Sequence, residues 1–182
     1  MRRTGPVKIW RQIFKGIPMR RAFVASGQLH DASEPQPVVE QYGALAWRRS
    51  PTKGLRILLV TSRERKLWIV PKGWPIAGYC PHRTAAREAL EEAGVFGAVS
   101  SKPCGSYSYT KVLADEQAVP CRVTVYPLRV KATLVDWSES KQRRRRWFSL
   151  AEATDAVSEP SLARLLSKVA VEWSGEGGPH GL

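Results

Sequence analysis

From residue 41 onward the chain alternates short apolar runs with polar breaks that carry glycine or proline. Gln41-Tyr-Gly-Ala-Leu-Ala-Trp-Arg48 reads as a strand and residues 49–54 as a turn. Arg56-Ile-Leu-Leu-Val-Thr61 is continuously apolar in its middle, the pattern of a strand buried on both faces. The polar turn 62–66 separates it from a short strand, Leu67-Trp-Ile-Val70, and Pro71-Lys72-Gly73 opens a loop rich in glycine and proline. Past that loop the apolar period lengthens to that of a helix. At roughly 100° per residue, Ala86, Ala89, Leu90 and Ala93 share one side. Pro81 and Thr84 suit the start of this helix and Gly94 its stop. Cys104–Val112 and Cys121–Val130 follow as strand candidates around a polar turn at 114–120. Tyr107 with Tyr109, and Val123 with Val125, fall on common faces, as ordinary sheet packing requires. Residues 136–146 read as a loop, 147–150 as a return to the core, and Ala151 onward as helix, with Leu162, Leu165, Leu166 and Val169 forming the stripe of a terminal helix. No internal repeat is visible.

The polar side of the first helix changes this picture. Glu88, Glu91 and Glu92 fall together there. Three carboxylates on one helical face repel one another unless something cationic lies nearby. Arg87, four residues before Glu91, offsets part of that; a divalent cation would offset more. Hard cations such as Mg²⁺ take oxygen ligands, commonly carboxylates together with substrate phosphates. The plain alternative is a solvated amphipathic helix. Against it stands the charge around it: residues 41–150 hold twenty Lys and Arg but eight Asp and Glu, three of them on this face.

The stretch Gly73 to Val95 resembles the signature of the Nudix hydrolases, Gly-x5-Glu-x7-Arg-Glu-U-x-Glu-Glu-x-Gly-U, where U is a bulky apolar residue. Gly73, Arg87, Glu88, Glu91, Glu92, Gly94 and Val95 fall at matching positions. Ala89 is a small occupant of a U position, and Tyr79 stands where the signature has its first glutamate. In the family that glutamate commonly pairs with the signature arginine, so Tyr79 is expected to leave Arg87 freer. The resemblance implies an α/β (α+β) fold, an α-β-α sandwich with a mixed sheet and a catalytic loop-helix-loop. It implies catalytic roles for Arg87, Glu88, Glu91 and Glu92. Mg²⁺, with Mn²⁺ as a substitute, would be held by Glu88, Glu91, Glu92 and the carbonyl of Gly73. Glu88 is one candidate base; Glu139, outside the motif, is another, with a plain surface acid as its alternative. Glu92→Gln is expected to cost orders of magnitude in rate with little loss of fold, on the expectation that this side chain is exposed.

Within the family the chain is most similar to the diphosphoinositol polyphosphate phosphohydrolase-like branch, on Leu58-Leu-Val-Thr-Ser-Arg63, Trp68-Ile-Val-Pro-Lys-Gly73 and Arg146-Trp-Phe148. That branch acts on diphosphoinositol polyphosphates and dinucleoside polyphosphates. The resemblance implies substrate contacts at Thr61, Ser62, Arg63 and Gly73. Lys72, beside Gly73, and the tetrad Arg143–Arg146 are added on their charge, with Arg143 and Arg144 as the substrate-binding candidates; a solvated face is the alternative for the tetrad. Where the branch has consecutive glycines, this chain has Lys72-Gly73-Trp74. Two further readings stay open: a nucleoside triphosphate or RNA 5′-pyrophosphohydrolase, and a catalytically weak module that binds polyanions.

Composition sets the bounds. The chain has 182 residues, a net charge of +13 and 43% hydrophobic residues, enough for one core. The charge implies an anionic partner, a polyphosphorylated small molecule or RNA. No apolar run approaches the roughly 20 residues of a transmembrane helix. Cys80, Cys104 and Cys121 show no metal-site spacing, which fits a reducing compartment, the cytoplasm. Residues 1–38 read as a basic extension and linker, 39–173 as the catalytic domain and 174–182 as a flexible tail. In the extension, Trp10, Ile13, Phe14 and Ile17 recur at helical spacing among seven basic residues. Such a helix packs on the domain, touches phosphate or membrane headgroups, or serves as an Arg-rich transit segment. Oligomeric state is not legible.

Overall fold

The computed structural model describes residues 38–112 and 118–174. The extension over 1–37, the start of the turn expected at 114–120 and the tail from 175 lie outside the described residues. Among the described residues eight strands form one mixed sheet. At its centre β1 (Val39–Ser50) runs parallel to β7 (Ala118–Thr133) from Val39–Cys121 to Trp47–Arg129. On its other edge β1 pairs antiparallel with β2 (Gly54–Thr61) and with the two-residue β4 (Lys72–Gly73). β2 also pairs with β3 (Trp68–Ile69) and β8 (Arg145–Phe148). The second edge of β7 takes β6 (Gly105–Val112) along its first part and β5 (Val95–Val99) along its end.

Among the described residues three helices cover this sheet: α1 (Pro81–Ala93), α2 (Leu150–Ala156) and α3 (Pro160–Glu172). The period of two in the central strands sorts side chains into two cores. Ala44, Ala46, Leu58 and Val60 meet Ala85, Ala89 and Ala93 of α1. Leu45, Trp47, Ile57 and Leu59 meet Ala153 of α2 and Leu162, Leu165, Leu166 and Val169 of α3. The α-β-α sandwich with a mixed sheet is therefore the fold that forms. Among the described residues no helix is long and apolar enough to cross a membrane.

α1 is the element that positions the acids. Pro81 sits in its first turn as expected, where its missing N–H costs nothing. Thr84 does not cap the start; Cys80 occupies that place, and Thr84 is buried inside the first turn. Gly94 ends the helix at φ 61°, a conformation strained for any residue with a Cβ. Its amide closes on the Leu90 carbonyl at 3.0 Å. The buried stripe is Ala85, Ala89 and Ala93, spaced by four, so Leu90 falls outside it and remains 39% exposed. Three alanines let the helix lie close to the sheet, and this fixes the direction of its acidic side.

The remaining differences are pairings that one strand's sequence does not show. β5 carries no strong β pattern and exists because β7 extends to Thr133 and offers it an edge. β4 exists because Tyr42 and Gly43 pair with Lys72 and Gly73. The end of the basic run, Arg145-Arg146, is strand, paired with Val60 and Leu59. The C-terminal helical stretch is broken in two. Ser149 and Glu152 form a capping box for α2, and Pro160 forces a fresh start for α3.

Candidate active site

With the alanine stripe against the sheet, Glu88 and Glu92 lie beside β4 and the segment around Arg143. Glu92 is 7% exposed, which corrects the expectation of a solvent-facing side chain. Its Oε2 accepts the Lys72 amide at 3.1 Å, and its Oε1 accepts Arg143 Nη2. Arg143 is itself buried; its Nε donates to Glu139 Oε2 at 2.5 Å and its Nη1 to the Thr61 carbonyl at 3.0 Å. One guanidinium thus ties together α1, the end of β2 and the loop before β8. The same substitution at Glu92 would therefore cost fold as well as any function, because a buried arginine would lose a counter-charge.

Gly73 explains why Glu88 sits where it does. A Cβ at Gly73 would fall 2.2 Å from the Glu88 carboxyl carbon, so the carboxyl occupies the space a side chain would need. Among the described residues nothing donates a hydrogen bond to it. Burial first, then Glu92, Glu91 and Glu139, push its pKa up to about 7. Burial also pushes the Glu92 carboxyl up, against the opposing pull of Arg143 and the Lys72 amide.

The sign of the resulting pH dependence is fixed. Between the ordinary value of 4.5 and about 7, the unfolded chain has lost the Glu88 proton while the folded chain keeps it. Stability of the cation-free protein should fall as pH rises through that window, by on the order of 2 kcal/mol. Urea unfolding in chelator at either end of the window measures this; no fall, or one that persists in Glu88→Gln, contradicts it. Lys72 acts in a separate window. Burial holds its ammonium down at about 8, so stability should rise again above that pH toward 10.5.

The third acid behaves differently. Glu91 Oε1 accepts Arg87 Nε at 2.8 Å, and the Arg87 guanidinium lies 5.7 Å from the centre of the Tyr79 ring. Arg87 is not left without partners by the missing glutamate: an aromatic ring and a neighbouring acid engage it. A shallow groove of about 500 Å³ runs along this flank, lined by Tyr79, Leu90, Glu91 and Phe96 among others. As they stand, no three acid, histidine or cysteine side chains among the described residues close around a common point. The donor set still fits a hard divalent cation. Glu91, Glu92 and Glu139 all lie within electrostatic reach of Glu88, which is half-buried and held by no described donor. Oxygen donors with surplus negative charge suit Mg²⁺ or Mn²⁺.

The cationic candidates divide. Arg143 is turned inward onto the acids, as described. Arg144 is exposed, while its amide donates to Thr61 Oγ1 at 2.9 Å. Thr61 is buried, with its hydroxyl and carbonyl both engaged by the 143–144 backbone and side chain. Ser62 Oγ accepts the Leu67 amide at 3.0 Å, closing the turn that displays exposed Arg63. Arg145 caps the other end of α1, donating to the Ala93 carbonyl at 2.7 Å and stacking 4.0 Å from the Trp137 ring. Lys72 Nζ donates to Tyr109 Oη at 2.7 Å and to Gln41 Oε1 at 3.2 Å, while Tyr109 donates to the same Gln41 oxygen at 2.8 Å. Nothing in the sequence pairs Gln41 or Tyr109 with Lys72. Tyr109 carried only a period-two signal, which cannot tell which strand lies alongside.

A family model described as NUDIX domain matches residues 40–169. The chain is 32% identical over 117 residues to Nudix hydrolase 12, mitochondrial, of Arabidopsis thaliana, covering 63% of this chain and 58% of that protein. It is 32% identical over 125 residues to diphosphoinositol polyphosphate phosphohydrolase 3-alpha of Homo sapiens, covering 66% and 72%. The match thus spans little more than half the length of the plant relative. Among solved structures, a C. elegans Ap4A hydrolase binary complex superposes with a TM-score of 0.58 at 20% identity, over 76% of this chain and 99% of that one. A likeness at that identity speaks to fold alone.

Proposed function

The chain belongs to the NUDIX domain family, and from that footing we propose that it is a divalent-cation-dependent hydrolase of a phosphoanhydride bond in a polyphosphorylated small molecule. The proposed substrate is a diphosphoinositol polyphosphate or a dinucleoside polyphosphate. The observation that carries the reading is Glu88: a half-buried carboxyl held against Gly73 among three other acids, in a domain that is otherwise strongly cationic. The human relative, a diphosphoinositol polyphosphate phosphohydrolase, supports the first of these substrate classes.

Glu88, Glu91, Glu92 and the Gly73 carbonyl are the groups that would hold the cation, Mg²⁺ with Mn²⁺ as a substitute. Bound there, it supplies charge neutralisation on the phosphates and a more acidic water. Glu88 takes the proton of the attacking water at a carboxylate oxygen when it is ionised, the form that a cation beside it would favour. Glu139 is the second candidate for that proton, and Arg143 holds it in place. Arg63 and Arg144 present exposed charge for the distal phosphates. Arg143 acts at one remove, by fixing Glu92 and Glu139. The three thiols, none in a disulfide, suit a reducing compartment such as the cytoplasm.

The test is a panel. Purified protein with Mg²⁺ is offered diphosphoinositol phosphates, dinucleoside polyphosphates, nucleoside triphosphates and 5′-triphosphate RNA. Turnover of either of the first two supports the proposal. Turnover confined to the last two selects the pyrophosphohydrolase reading. Salt-sensitive RNA binding without turnover selects the binding module, which the engagement of Glu91 and Glu92 by arginines favours. A finer check is Gly73→Ala. The added methyl would displace the Glu88 carboxyl, and a shift of about 1 Å can cost roughly 100-fold in rate. Turnover should fall by that order while the thermal midpoint barely moves; unchanged turnover would remove Glu88 from the chemistry.

A further inference from the structure

Tyr79 stands at a signature position normally filled by an acid, and the consequence is visible in what Arg87 does. The loop that carries Tyr79 is set by a turn, with Gly78 at φ 79° and the Tyr79 amide bonded to the Ile76 carbonyl at 3.0 Å. The phenol ring lies 5.7 Å from the Arg87 guanidinium carbon. The phenol attracts the guanidinium through its ring and can take one donor at its oxygen, but as a neutral group it does not neutralise the charge. Arg87 therefore directs its Nε to an acid one helical turn on, Glu91, at 2.8 Å. The bond draws Glu91 toward the flank shared with Tyr79, Leu90 and Phe96. Glu88 and Glu92 lie on the other flank, beside Gly73 and the Lys72 amide.

Resting on the reading of Glu88, Glu91 and Glu92 as the cation-holding side of α1, we infer that Tyr79 is a positioning residue: through Arg87 it keeps Glu91 off the acid cluster, so that divalent-cation uptake must compete with the Arg87–Glu91 ion pair. A carboxylate at position 79 would offer Arg87 another partner and release Glu91. Removing the guanidinium would release it too. Tyr79, Arg87 and Glu91 are all at least partly exposed, so substitution there leaves the core intact.

The experiment is a Mn²⁺ titration of the whole chain, read from the electron paramagnetic resonance signal of unbound Mn²⁺. Tyr79→Glu and Arg87→Gln are each measured with Glu91 present and in the Glu91→Gln background, and Tyr79→Phe serves as the conservative variant. With Glu91 present, both should bind Mn²⁺ about twofold more tightly than the parent, the worth of one exposed i,i+4 ion pair. In the Glu91→Gln background the gain should vanish, and Tyr79→Phe, which offers Arg87 no new acceptor, should show no gain. A gain that survives Glu91→Gln is a general charge effect and overturns the inference, as does no gain at all. If the parent takes up Mn²⁺ without this coupling, the role of Tyr79 falls and the proposed function stands. If the parent takes up none, both fall.

Discussion

Arg143→Met is expected to lower the unfolding free energy by about 3–5 kcal/mol, the usual cost of stripping one partner from a buried ion pair. Methionine can reproduce none of the three contacts that Arg143 makes. Glu92 and Glu139 would both lose their shared cation, and the Thr61 carbonyl would lose its donor. Glu92 is nearly buried, so water cannot compensate there. Urea unfolding at neutral pH measures the loss. Adding Glu92→Met should recover much of it, because the orphaned charge disappears with the second change. A loss under 1 kcal/mol would mean that the ion pairs do not form as described. The prediction is independent of any substrate, which makes it a test of the site's architecture alone.

Glu88→Gln is expected to show the reverse balance: turnover reduced by about 10²–10⁴-fold, the range for removing a general base, with stability held or raised. The amide keeps the shape of the side chain but can neither take a proton nor carry charge. Stability should not suffer because the carboxyl accepts no bond from a described residue and is repelled by Glu92, Glu91 and Glu139. The pair of measurements, rate on the substrate found in the panel and the urea midpoint, separates the two roles. Full turnover in this variant would move the proton-accepting role to Glu139. A large loss of stability would mean that Glu88 has an essential structural partner.

These two arginine and glutamate predictions differ because the two acids, four residues apart on one helix, have opposite surroundings. The sequence places them together and gives no means of telling them apart. An i,i+4 spacing puts Glu88 and Glu92 on one side of α1 whatever the rest of the chain does. What lies opposite each depends on β4, which exists as a strand only because Tyr42 and Gly43 present an edge. It depends also on the loop before β8, which brings Arg143 across 51 residues to Glu92. Leu90 shows the same limit from the apolar side. Its periodicity admits it to the core stripe, and only the close seat of Ala85, Ala89 and Ala93 on the sheet leaves it outside.

The basic tetrad is a further case. Four consecutive arginines read as one density of charge, yet each has a different surrounding. Arg143 is buried on two acids, Arg144 is exposed, Arg145 caps α1, and Arg146 lies over the Phe148 ring at 4.8 Å. Alternation along β8 separates the last two, while a turn aims the first.

By itself the sequence determined the local features: the extent of α1 from Pro81 to its glycine stop, the two-faced strands β1 and β2, and the presence of three acids on one helical side within a cationic domain. Those follow from backbone preference and from periods of 2 and 3.6, which neighbouring residues carry among themselves. The tertiary structure decided how the charges are shared: Glu92 to Arg143, Glu91 to Arg87 beside Tyr79, Lys72 to Tyr109 and Gln41, and Glu88 to no described donor. Coulomb attraction falls with distance and is strengthened by burial, and both are set by which strands lie side by side.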